Sequence, residues 1–212
     1  MSQEFNTGVR LEYSDKRPST TDLSEINHAI AQFGARLMPL NLRTPPSIIR
    51  QLLNRKSLTS AESARVLEHF LLSRDRLLEI IKEAGRTPRV PGGGELSTLD
   101  LTHDITYPQL HVVTPGGDYS RFGRLHVNTA ADGTGVDEVM QVLSGGGVEL
   151  VQHLPEQGMM TLRIDCIEEE TGWVLTYDGI YPHMSNIGES QAGTKILMQI
   201  IGPAQWETKY QG

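Results

Sequence analysis

From Gln109 to Ile201 the chain is cut at short intervals by glycine-bearing turns: PGGD, ADGTG, SGGG, PEQG, EEETG, YDG and SQAG. No long helix survives such punctuation, so the segments between the turns must be strands. Their apolar residues recur with a period of two. The expected strands are Gln109–Thr114, Val139–Leu143, Val148–His153, Met159–Cys166, Trp173–Tyr177 and Thr194–Ile201. Many short strands joined by tight turns imply an antiparallel sandwich or barrel of jelly-roll size.

The first 85 residues read differently. Residues 1–21 are polar and are expected to form an N-terminal arm. Residues 22–85 carry a helical period. Asp22 can cap a helix presenting Leu23, Ile26, Ile30 and Phe33, with Gly34 as its stop. Pro45 and Pro46 open a second helix. Thr59 and Glu62 form a capping box for a third, which runs to Ile81, with a break expected near Ser73. Residues 86–99, with two prolines and three consecutive glycines, are expected to be a linker before a β domain spanning 100–212.

Charge follows the same division. Residues 36–89 carry 11 basic and 5 acidic groups, whereas residues 95–212 carry 5 and 16. The basic helices lack the aromatic interleaving of a nucleic-acid surface, so attraction between the two regions, or between subunits, is the expected use. The lone Cys166 excludes an intrachain disulfide and an all-cysteine zinc site. With no basic-then-apolar leader and no membrane-length apolar run, the expected setting is the cytoplasm, away from a membrane. Apolar helices attached to a barrel suggest a homodimer or higher homo-oligomer.

Two segments carry a family pattern. The first runs G-R-L-H-V-N from Gly123, followed by D-E-V-M-Q-V-L-S-G-G-G from Asp137, with Gly145 seven positions after Glu138. The second runs G-W-V-L-T-Y-D-G-I-Y-P-H-M-S-N from Gly172, with His183 eleven positions after that glycine. Together they resemble the two motifs of the cupin superfamily, across about half the chain; archaeal-type phosphoglucose isomerases are loosely similar in arrangement. The resemblance implies a mainly β fold, a cupin-like double-stranded β-helix or jelly-roll barrel, behind an N-terminal α-helical region. It also implies that His126, Glu138 and His183 are metal ligands. Two departures stand out: Arg124 occupies the position of the family's first histidine, and the stretch NTAADGTGVD lengthens the gap between His126 and Glu138.

Two imidazoles and one carboxylate suit divalent iron first, and also manganese, nickel or zinc. Three protein ligands leave positions open for water and substrate. Arg124, two residues from His126, is expected on the same strand face, as a clamp for a small anionic substrate and a catalytic group. His111, Tyr177 and Lys195 are expected at the substrate, and Tyr181 as an acid or base. Tyr107, Tyr119, His103 and His153 are weaker candidates. The implied activity is that of a metal-dependent enzyme, foremost a non-haem iron dioxygenase. A cupin-type isomerase or lyase, and a ligand-sensing regulator without catalysis, are the alternatives.

Overall fold

The computed structural model describes residues 8–87, 108–114, 117, 122–154, 156, 158–166, 170–187, 192–202 and 206–211. His103, Tyr107, Tyr119 and most of the expected linker lie outside them. The elements, in order, are β1 (Val9–Tyr13), α1 (Leu23–Ile30), β2 (Arg36–Asn41), α2 (Ser47–Leu53), α3 (Ser60–Phe70), α4 (Arg74–Glu83) and β3 (Gln109–Val112). There follow β4 (His126–Thr129), β5 (Asp137–Ser144), β6 (Val148–Leu154), β7 (Gly158–Ile164), β8 (Thr171–Asp178), β9 (His183–Ile187), β10 (Lys195–Ile201) and β11 (Glu207–Tyr210). No helix among the described residues is long and apolar enough to cross a membrane.

The strands form two antiparallel sheets. One has the order β1-β7-β6-β9-β4-β11 and the other β2-β8-β5-β10-β3. Alternation sorts the side chains. On β5, Met140 and Val142 join the core between the sheets, while Val139 and Leu143 pack outward against the helices. Leu143 and Leu197 meet Ile49, Leu52, Val66 and Phe70 of α2 and α3; Val139 and Val174 meet Leu77 and Ile80 of α4. Helices α2, α3 and α4 therefore cover the outer face of the five-stranded sheet.

The local signals for the helices are realised. Asp22 accepts from the Glu25 amide, and Gly34 adopts a left-handed φ of 59° after a short 3-10 turn. Thr59 and Glu62 exchange the bonds of a capping box. Thr59→Ala is expected to cost about 1 kcal/mol, measured as a shift in the urea midpoint at unchanged slope.

The third helix breaks near Ser73, as expected, into α3 and α4, because the chain between them finds partners on the sheet. Gln199 receives the Leu72 N–H and donates to the Leu72 carbonyl, Gln141 donates to the Phe70 carbonyl, and Ser73 caps α4. The expected arm holds β1, paired with β7; Val9 and Leu11 are buried while Arg10 and Glu12 face outward. The expected helical region holds β2, paired with β8 at a sheet edge, where Pro39 is tolerated. Arg86, at the start of the expected linker, is a buried structural residue. Its Nε donates to Asp137 Oδ1 at 2.8 Å and its Nη2 to Thr176 Oγ1 at 2.8 Å, with Nη1 on the Gly34 carbonyl.

Candidate metal centre

The two sheets enclose a cavity of about 210 Å³. Its polar wall is built from an inward pair on β4 and one residue from each of four other strands. His126 and Asn128 come from β4, Glu138 from β5, Tyr177 from β8, His183 from β9 and Thr208 from β11. His126 and His183 are direct cross-strand partners, with ring centroids 4.5 Å apart.

Glu138 is the hub. Asn128 Nδ2 donates to its Oε1 at 2.7 Å, and the Tyr177 hydroxyl donates to its Oε2 at 3.0 Å. Asn128 is in turn fixed by Thr208, whose hydroxyl donates to Asn128 Oδ1 at 2.7 Å. Gly179 makes room: a Cβ there would stand 3.0 Å from Glu138 Oε1. Burial works against the carboxylate, yet the neighbouring His183 imidazole and the bonds from Asn128 and Tyr177 hold its pKa below the ordinary value. The Tyr177 phenol is pushed well above its usual pKa by burial and by Glu138, so it keeps its proton.

Both imidazoles have defined tautomers. His126 Nδ1 lies 2.7 Å from the Arg124 carbonyl and His183 Nδ1 2.8 Å from the Tyr181 carbonyl. A carbonyl only accepts, so each Nδ1 carries a proton, and in the neutral ring each Nε2 presents a lone pair. Burial and the second imidazole keep His126 below its usual pKa, hence neutral. For His183, burial is outweighed by the Glu138 charge, and the pKa rises. His183 Nε2 sits 3.4 Å from Glu138 Oε1, is buried, and has no hydrogen-bond partner. Buried polar atoms are rarely left so. Among the described residues, no three His, Cys, Asp or Glu side chains form a ready-drawn ion site. The convergence is pairwise, His183 on Glu138 and His126 on His183.

The other expected residues divide. His111 and Tyr177 line the cavity. Arg124 does not. β4 begins only at His126, and the exposed Arg124 guanidinium stacks 4.1 Å from the centre of the Tyr210 ring. Tyr181 contributes its carbonyl, while its ring packs edge-on against Phe33 at 5.6 Å, away from the cavity lining. Lys195 is fully buried, but its ammonium donates to the carbonyls of Leu53, Arg55 and Gly193 at 2.8, 2.6 and 2.8 Å. Those three bonds use all its protons, leaving none for an anion. His153, at the end of β6, does not line the cavity.

Asn128 and Thr208 were missed. The spacing that placed Arg124 beside His126 also places Asn128 there, in the other direction. The inward pair on this strand is His126 and Asn128.

No protein-family model matches the chain, and no curated protein sequence does. Among solved structures it is similar to an acireductone dioxygenase from Bacillus anthracis with a cadmium ion in its active center, at 12% identity and a TM-score of 0.63. The likeness covers 95% of this chain and 98% of that one. It establishes a cupin-like fold of the double-stranded β-helix type. The architecture is mixed α/β, two sheets with helices drawn from the N-terminal half.

Proposed function

We propose that this protein is a metal-dependent enzyme, with a divalent ion held by Nε2 of His126, Nε2 of His183 and the Glu138 carboxylate. The observation that carries this is the orphaned His183 Nε2, buried beside a carboxylate with its other nitrogen already committed to a carbonyl. Iron suits this donor set, and manganese, nickel or zinc would also bind it. When bound, the ion would supply oxygen activation and polarise a substrate oxygen at its open positions.

The chain's own residues hold the donors. Asn128 and Tyr177 each fix one oxygen of Glu138, and the carbonyls of residues 124 and 181 fix the imidazole planes. Dioxygenation is the reaction we favour, with O2 as the oxidant and both its atoms entering the product; the structural neighbour is named as a dioxygenase with metal in its active center. An isomerase or lyase would need a base facing the substrate; His111 lines the cavity, but it stands opposite Ile196, two residue pairs along β10 from the level of Glu138. A small substrate is retained from the sequence reading. If anionic, it would have to be met by the ion itself, since Arg124 and Lys195 lie elsewhere.

Metal analysis tests the proposal. After loading with iron(II), manganese, nickel or zinc, the wild type is expected to hold about one ion per chain. His183→Ala should lose it, and His153→Ala should keep it. A wild type that takes up no stoichiometric ion under any loading condition would end the reading. An ion retained by His183→Ala would disprove the ligand assignment.

A further inference from the structure

The cavity is longer than its polar cluster. Across the β5–β10 ladder Glu138 faces Ile200, Met140 faces Met198 and Val142 faces Ile196. On the other sheet His183, Ser185 and Ile187 face Gln152, Leu150 and Val148. The Glu138–His183 contact ties the two ladders at one level. From there each step of two residues advances about 6.6–6.8 Å along the strands. Met140, Met198, Ile187, Val148 and Ile196 line the cavity beyond that level, with Gln109 and His111 of β3 beside Met198 and Ile196, so two steps carry a mainly apolar channel roughly 13 Å from the polar cluster. Among the described residues no arginine or lysine lines it.

We propose that the ligand is a small, uncharged, elongated molecule. An oxygen-bearing head sits at His126, Glu138 and His183, and an aliphatic or aryl body lies along Met140, Met198, Val148, Ile187 and Ile196. The place of the head rests on the metal reading; the apolar body does not. Its class follows from the lining. A charged tail would be desolvated there with no arginine or lysine among the described lining residues to meet it, whereas each buried methylene gains binding. The two methionines add adaptability, since an unbranched thioether fills irregular gaps. The volume of about 210 Å³ equals roughly seven waters at about 30 Å³ each, which limits the body to a short chain or one ring.

Two ligand series separate this inference from the metal reading. Linear alkyl hydroxamates, from acetyl to decanoyl, are titrated into metal-loaded protein by calorimetry. The matching primary amides, which need no metal, are titrated into metal-free protein. In both series affinity is expected to rise about fourfold per methylene, then level off once the channel is full. Ile196→Phe should bring the plateau forward by two or more carbons without weakening the short members. Met198→Ala should admit a bulkier aryl body. Chain-length dependence with the amides, in a protein that takes up no ion under any loading condition, would keep this proposal and end the metal reading. Metal binding with no chain-length dependence in either series would do the reverse. Tighter binding of hydroxamates ending in a carboxylate than of methyl-ended ones would also overturn it.

Discussion

Arg86→Ala is expected to cost about 3–5 kcal/mol of folding stability, the range for breaking a buried ion pair by removing one partner. The side chains of Arg86 and Asp137 are 7% and 10% exposed, so solvent does little to screen the charge left behind. The loss also strips the Thr176 hydroxyl and the Gly34 carbonyl of their donor. The position gives the pair its reach. Asp137 precedes Glu138 on β5, and Thr176 precedes Tyr177 on β8. One guanidinium behind the sheet therefore steadies the two strands whose next residues meet in the cavity through the Tyr177–Glu138 bond. Urea denaturation of Arg86→Ala, Asp137→Leu and the double variant Arg86→Met/Asp137→Leu checks this. The double variant should recover much of the loss, because no lone charge remains buried. A single-variant cost below about 1 kcal/mol would show that the pair does not brace the sheet.

Lys195→Met is expected to destabilise by about 3 kcal/mol, because it leaves three carbonyls without a donor at about 1–3 kcal/mol each, offset by no longer burying an ammonium. Burial lowers the Lys195 pKa to about 8, so at neutral pH the group is still predominantly the ammonium that three acceptors require. Two of those acceptors, Leu53 and Arg55, lie at the C-terminal end of α2, where a cation also meets the helix dipole. The damage should be local as well as global, with faster amide exchange in α2 than in α4. Lys195→Arg should not rescue it, since a planar fork cannot point three protons at three converging carbonyls. A neutral Lys195→Met would return the residue to the list of ligand-binding candidates.

These two residues show where the sequence was readable. Asp22, Thr59 and Glu62 announced helix starts because capping depends on neighbours three residues apart. The strands from β5 to β8 and β10 announced themselves because their apolar period is local too. Arg86 and Lys195 could not be read, because their partners lie 51 and 142 positions away. Alternation from Ile196 turns Lys195 to the outer face of the sheet, but it cannot reveal the carbonyls at the end of α2 that meet it there. β1 and β11 were hidden by polar residues on short edge strands, and β2 by its proline. In the candidate site, motif spacing located Glu138 and His183 in the cavity, where they meet. It misled at Arg124, because the spacing does not reveal where a strand begins.

The placement of β1 and β2 has a consequence for how the chain reaches its native state. β1 pairs with residues 160–164 and β2 with residues 171–176. The first 85 residues thus contribute an edge to each sheet but cannot dock until strands more than a hundred positions downstream exist. Closing such long loops is slow. During synthesis the N-terminal helices would emerge first and wait, their apolar faces open, for the rest of the chain. A fragment cut at the glycine run would take β1 and β2 away from both sheets together. Synthesis order, rather than final stability, is where this architecture is most exposed.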